Sequence, residues 1–256
     1  MQGHLKRFDL TGKSAMVTGA SEGIGRDIAL GMAEAGADII VCSRREEKLN
    51  EVKAEIEKIG RHAHVYALDV RNINEIKELR DYVQKRTGRV DILVNNAGFT
   101  VTKPAWLVTE EDWDLMVDTG LKGLFFFCQI IGSIMREQGY GKIINLSSTF
   151  SRTVVPGRSV YAGIKAGINH LTEALAMEWG PLGIRVNAIA PTAVKTPSRE
   201  NMIKGEILEK VLARIPLGRL AMPEDLIGAV IYLSSEASDF VTGQTLFVDG
   251  GWVAAS

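Results

Sequence analysis

Cysteine is scarce: the 256-residue chain has two, Cys42 and Cys128, both inside strongly apolar stretches. That placement predicts buried, reduced thiols and argues against a disulfide framework or a thiolate metal centre. The four histidines, His4, His62, His64 and His170, lack ligand spacing with cysteines or carboxylates, and no metal site is expected. His62 and His64 alternate along an expected strand edge and read as solvated. An excess of one charge is missing as well. Thirty Lys and Arg against 31 Asp and Glu leave a net charge of -1, which gives no electrostatic basis for binding nucleic acid or an anionic membrane surface. No run of eighteen apolar residues occurs, and Met1 to Phe8 lack the apolar core of a signal peptide, so a soluble, cytoplasmic protein is expected.

What is present is regular alternation. Short β-branched runs predict strands at 14–18, 38–42, 63–68, 92–95, 142–146, 185–189 and 245–248. Stretches of helical period predict helices at 24–35, 46–59, 73–87, within 110–138, at 160–179 and at 223–234. Thr109 before Glu110, Glu111 and Asp112 forms an N-cap signal, and Gly60, Gly88 and Gly139 sit where helices should stop. Strand–helix repetition of this kind builds a parallel sheet covered on both faces, and no linker divides it, so residues 1–256 are read as one α/β domain. The polar stretch 191–216, punctuated by Pro191, Pro197, Gly205 and Pro216, interrupts the alternation after a strand and is placed as a substrate lid.

Gly19, Gly23 and Gly25 follow the first strand and open the first helix. They supply a tight turn, a close backbone approach to a pyrophosphate, and close helix–strand packing, with the helix N-terminus facing the phosphates. An acid for an adenosine 2'-hydroxyl should lie about twenty residues on. The second strand instead ends Cys42-Ser43-Arg44-Arg45, where a hydroxyl and two guanidiniums suit a 2'-phosphate, so NADP(H) is favoured over NAD(H). Tyr161 and Lys165 stand four apart on a helix and therefore share a face. A phenol has a pKa of about 10, and a nearby ammonium favours its phenolate, bringing it into range for proton transfer. Ser148 adds a neutral hydroxyl that could hold a substrate oxygen, while Ser147 should point away and is given no catalytic role.

These motifs, with Asp69-Val70, Asn95-Asn96-Ala97-Gly98, Val186 to Pro191 and Val241 to Gly251, resemble the short-chain dehydrogenase/reductase family from about residue 9 to residue 252. The resemblance implies a Rossmann-type, doubly wound parallel sheet of about seven strands and a nicotinamide-dependent oxidoreductase of alcohols or carbonyls. It implies catalytic roles for Ser148, Tyr161 and Lys165. It assigns the cofactor to Gly19, Ser21, Glu22, Gly23, Ile24, Gly25, Ser43, Arg44, Arg45, Asp69, Val70, Asn95, Asn96, Ala97 and Gly98, with Tyr161, Lys165, Pro191, Thr192, Val194 and Thr196 nearer the nicotinamide. Asn95 and Asn96 could equally be structural. Glu22 sits where relatives that prefer NADP often carry a basic residue.

Two positions depart from the family pattern: Gly120 replaces an asparagine that supports a proton-relay water, and Thr192 replaces the glycine of a common Pro-Gly. Five cations, Lys103, Arg152, Arg158, Lys195 and Arg199, lie near the expected pocket, Arg152 and Arg158 being the substrate candidates. Met177-Glu178-Trp179 and the ending Asp249-Gly250-Gly251-Trp252 resemble family members that interconvert hydroxy- and keto-sugar acids such as gluconate. A 3-oxoacyl-carrier-protein reductase shares the same core motifs, and Gly120 with Thr192 motivates a third reading, a non-catalytic dinucleotide-binding scaffold. The apolar run 124–134 exceeds what one sheet face needs, and relatives pair through such helices, so a homotetramer is expected.

Overall fold

Seven strands form one sheet in a computed structural model that describes residues 3–197 and 203–255. They are β1 (Ser14–Thr18), β2 (Asp38–Ser43), β3 (Ala63–Ala67), β4 (Ile92–Asn95), β5 (Gly141–Leu146), β6 (Ile184–Pro191) and β7 (Thr245–Val248). All six pairings are parallel, in the order β3-β2-β1-β4-β5-β6-β7. The order reverses between β1 and β4, and in open sheets of this kind ligands bind outside the carboxyl ends of the strands at that switch point. The architecture is a Rossmann-type α/β fold.

The helices are α1 (Gly23–Glu34), α2 (Glu46–Lys58), α3 (Ile73–Arg86), α4 (Glu110–Val117), α5 (Gly123–Gln138), α6 (Ser159–Trp179), α7 (Gly205–Leu212) and α8 (Glu224–Ser234). Alternation along the strands sends side chains to opposite faces. Met16, Ile40, Leu93 and Ile143 meet α3, α5 and α6 on one face. Val17, Ile39, Val41, Ile92 and Ile144 meet α1, α2 and α8 on the other. Each fully buried Leu, Ile or Phe contributes about 1.5–3 kcal/mol, so the two layers are what holds the strand ends in register.

The expected N-cap is present as a capping box: Thr109 accepts from the Asp112 N–H, and Asp112 accepts from the Thr109 N–H. Gly139 ends α5 in the left-handed conformation, φ 68°. The long helix expected within 110–138 runs from Glu110 to Gln138 and passes through a π-turn at Asp118–Lys122 that carries Gly120. Just beyond it, a Cβ on Gly123 would come 2.7 Å from the Val70 carbonyl, so glycine lets this turn press against the loop after β3.

Glu110–Gln138 is long and apolar enough by composition to cross a membrane, yet Leu124, Phe127, Cys128, Ile131 and Ile134 are packed in the core. The surplus expected of this run is therefore mostly consumed by the sheet, with Phe125 and Phe126 partly open. His64, expected to be solvated, is partly buried with its ring edge-on to Tyr82, and burial pulls its pKa down. Both cysteines are fully buried and free, the Cys128 thiol being pushed up to about 12 by desolvation.

Candidate active site

The loop between β1 and α1 folds as a glycine cradle. Gly19 and Gly23 have φ of 66° and 57°, conformations that side chains with a Cβ adopt at a cost. A Cβ on Gly25 would collide with the Gly19 carbonyl and the Asn96 amide, so only glycine lets α1 start this close to β4. Asn96 Nδ2 donates to the Thr18 and Gly19 carbonyls at 3.0 and 3.2 Å, holding the cradle from below. Asn95 Nδ2 donates to Asn145 Oδ1 at 2.9 Å and is buried between strands. Both asparagines thus have structural bonds, and the Ala97-Gly98 backbone continues the cleft.

The far wall of the cleft comes from the end of β6. Pro191, Thr192, Val194 and Thr196 are all buried, and a Cβ on Gly23 would come 3.5 Å from Thr196 Cγ2. A dinucleotide lying between these two walls would have its phosphates at the α1 N-terminus, where unpaired N–H groups could receive them. At the end of β2, Ser43 Oγ accepts from the Arg45 N–H at 3.2 Å. Arg44 is exposed. The Arg45 side chain turns back to Ser21 Oγ and to the Glu22 carboxylate, each at 2.9 Å. Asp69 is paired with Arg71 at 2.5 Å, and the hydrogen bonds from Arg71 hold its carboxyl below the usual range. Val70 is buried beside it and Ile24 is partly buried.

Ser148 lies just beyond β5 and Tyr161 and Lys165 lie in the first turns of α6. Ser148 and Lys165 are 8% and 7% exposed, and Tyr161 is partly open. The Lys165 ammonium stands 5.6 Å from the centre of the Tyr161 ring and donates to the Leu146 carbonyl at 2.5 Å. A Cβ on Gly98 would come within 4.0 Å of the same ammonium, which therefore reaches from α6 to the loop after β4. Ser148 Oγ accepts from the Phe150 N–H at 3.2 Å, which leaves its own proton available for a substrate oxygen. Ser147 faces away from the cleft and donates to the Lys165 carbonyl at 3.2 Å, tying α6 to β5.

The five expected cations separate. Lys103 is ion-paired with Asp112, Arg158 donates to Thr100 Oγ1 at 2.8 Å, and the Arg152 guanidinium lies 5.5 Å over the Phe247 ring. Lys195 is exposed, and Arg199 lies outside the described residues. Three contributors were not singled out from sequence. Phe150 stands edge-on to Tyr161, with ring centres 6.2 Å apart and planes at 86°. Ile164 fills the space above Gly120, where a Cβ would come 3.1 Å from its Cγ2. Helix α7 lies inside the stretch assigned to a lid. Its signal, Ile207, Leu208, Val211 and Leu212 on one face, was present but bracketed by glycine and proline.

Comparison with known proteins agrees with this geometry. Residues 19–253 match the family model described as enoyl-(acyl carrier protein) reductase. The chain is 39% identical over 246 residues to a 3-oxoacyl-(acyl-carrier-protein) reductase of Thermotoga maritima, covering 95% of this chain and 99% of that protein. It is 35% identical over 249 residues to gluconate 5-dehydrogenase of Gluconobacter oxydans, covering 97% of each. Among solved structures it superposes on a gluconate 5-dehydrogenase from Burkholderia cenocepacia in complex with NADP and tartrate, with a TM-score of 0.95, 36% identity and 98% and 99% coverage. Likeness of this degree over nearly the whole length means that the chain belongs to the short-chain dehydrogenase/reductase family, oxidoreductases that act on CH–OH and keto groups.

Proposed function

We propose that this enzyme is an NADP(H)-linked dehydrogenase that interconverts a secondary alcohol and a ketone on a small sugar acid or polyol of the gluconate and ketogluconate class. The observation that supports the chemistry is the Lys165 ammonium, 5.6 Å from the centre of the Tyr161 ring and bonded to the Leu146 carbonyl at the carboxyl end of β5, the strand that Ser148 follows. A bound nicotinamide supplies or accepts the hydride. Tyr161 donates a proton to the carbonyl oxygen during reduction and takes it back during oxidation. Ser148 holds that oxygen with its free O–H, and Lys165 favours the phenolate while its stem steadies the cofactor ribose.

NADP(H) is favoured because residues 42–45 at the end of β2 include Arg44 and Arg45 and no carboxylate of their own, although Arg45 is shared with Glu22 of the glycine loop. Arg158, at the rim beside Thr100, and Arg152 are the groups to receive the substrate carboxylate. Assembly as a homotetramer is supported by exposed large apolar side chains, Trp106 in the turn before α4 at 86% and Met177 late in α6 at 80% exposure. The balanced charge offers no electrostatic basis for nucleic-acid or anionic-membrane partners, and the reading is of a cytoplasmic enzyme. Reduction of a 3-oxoacyl thioester is the second reading, favoured by the apolar face of α7, where Ile207 is 56% exposed and could border an acyl chain.

A panel of sugar acids, polyols, acyl thioesters and simple ketones, followed by nicotinamide absorbance with each cofactor, tests the reading. Preference for gluconate or a keto-sugar acid with NADP(H) is expected. Preference for an acyl thioester overturns the substrate class, and no turnover anywhere moves the case to a dinucleotide-binding scaffold. Tyr161→Phe should abolish turnover with little change in NADPH affinity, whereas Lys165→Ala should damage both.

A further inference from the structure

Trp252 lies four residues from the end of the chain and ninety-one residues after Tyr161, yet it is 4% exposed and reaches the reaction centre by two routes. Its ring stands 6.4 Å from that of Phe150 at 69°, and Phe150 in turn stands edge-on to Tyr161. Its indole N–H donates to Thr153 Oγ1 at 3.1 Å, and that hydroxyl donates to the Thr149 carbonyl at 3.1 Å, one residue after Ser148. A buried aliphatic residue could fill this volume, but it could not satisfy Thr153 or offer Phe150 an aromatic edge.

The same residue is also fixed from the segment that follows α7. The Arg214 guanidinium lies 4.3 Å over the Trp252 ring, two residues beyond α7. The turn that presents Trp252 is closed by Asp249, which accepts from the Gly251 and Val253 N–H groups at 2.9 and 2.8 Å. Leu217 N–H donates to the Gly250 carbonyl at 3.2 Å, and a Cβ on Gly251 would come 2.8 Å from Pro216, so the C-terminal turn sits directly against 215–217.

We propose that Trp252 is a positioning residue: it holds the Tyr161 phenol toward Lys165 and the turn that presents Ser148, and it couples both to the segment that carries α7. The inference rests on the catalytic reading of Tyr161 and adds a residue that the reading does not use. If Phe150 and Trp252 are cut back, the Tyr161 ring loses its edge-on support and shifts relative to the ammonium now 5.6 Å from its centre. The phenol then titrates at higher pH.

The test is the near-ultraviolet tyrosinate titration of the full chain with NADPH bound, using Tyr161→Phe as the blank that isolates this phenol. Trp252→Ala and Phe150→Leu should each raise its midpoint by at least about 0.5 pH unit. Trp252→Phe should return it to within about 0.2 unit, with NADPH affinity within about twofold throughout. Folded Trp252→Ala and Phe150→Leu proteins with an unchanged midpoint overturn the proposal. If Trp252→Ala does not fold, Phe150→Leu alone decides by the same shift. Failure of the catalytic reading is a separate result, a Tyr161→Phe protein that still turns over the substrate panel.

Discussion

The Arg45 guanidinium lies 2.9 Å from the Glu22 carboxylate, so a cation at the end of β2 is already shared with the glycine loop. A 2'-phosphate arriving there competes with Glu22 for Arg45, while Arg44 meets it without that competition. Glu22→Gln should therefore raise affinity for NADPH relative to NADH by about three- to tenfold, and Arg44→Asp should lower it. Fluorescence titration of both nucleotides reads the ratio, and an unchanged ratio in Glu22→Gln would refute the competition.

Gly120 and Ile164 occupy one space. Gly120→Asn adds a side chain where a Cβ alone already comes 3.1 Å from Ile164 Cγ2, and should cost about 1–3 kcal/mol of stability. In an Ile164→Ala background the same change should cost less than half as much, because the neighbour has been cut back. Denaturant unfolding of the four proteins forms the cycle, and additive costs would mean the two sites are independent.

Lys142 is fully buried in β5, donating to Ser238 Oγ at 3.1 Å with Asp239 Oδ1 at 2.9 Å as its ion-pair partner. Asp239→Asn leaves that ammonium without its counter-charge and should destabilise by about 1–3 kcal/mol, while Lys142→Met should be nearly neutral. Burial holds the Lys142 pKa below the ordinary lysine value. The folded state thus binds fewer protons than the unfolded state, and this group's contribution improves as pH rises through the lowered value toward about 10.4. That slope should be absent in Lys142→Met when unfolding is followed from about pH 7 upward.

Asp225 in the first turn of α8 accepts from Arg219 at 2.6 and 2.8 Å and from the Met222 N–H at 2.7 Å. These bonds lower its pKa to about 2. A carboxyl depressed in the fold contributes stability above its unfolded value of about 3.9, and that contribution is lost as pH falls through the folded value. Asp225→Asn should lower Tm by about 2 °C at neutral pH, with the difference from the parent closing by about pH 2. A gap that persisted in acid would show that the side chain acts through packing instead.

Seven strands and the helices between them were legible in the sequence because a strand or helix declares itself in local spacing, as in the run Asp38 to Ser43. So were the glycine cradle and the Tyr161–Lys165 pair, since a tight turn and a four-residue helical step are short-range geometry. The π-turn at Gly120 and the helix Gly205–Leu212 were not, because a π-turn leaves the apolar pattern almost unchanged and flanking glycine and proline mask a short helix. Which way Arg45 turns, what covers Gly120 and what Trp252 touches were decided only by the fold. Each depends on the register between elements remote in sequence, 23 residues for Glu22 and Arg45 and 102 for Phe150 and Trp252, and that register is set by packing across the sheet rather than by any local preference.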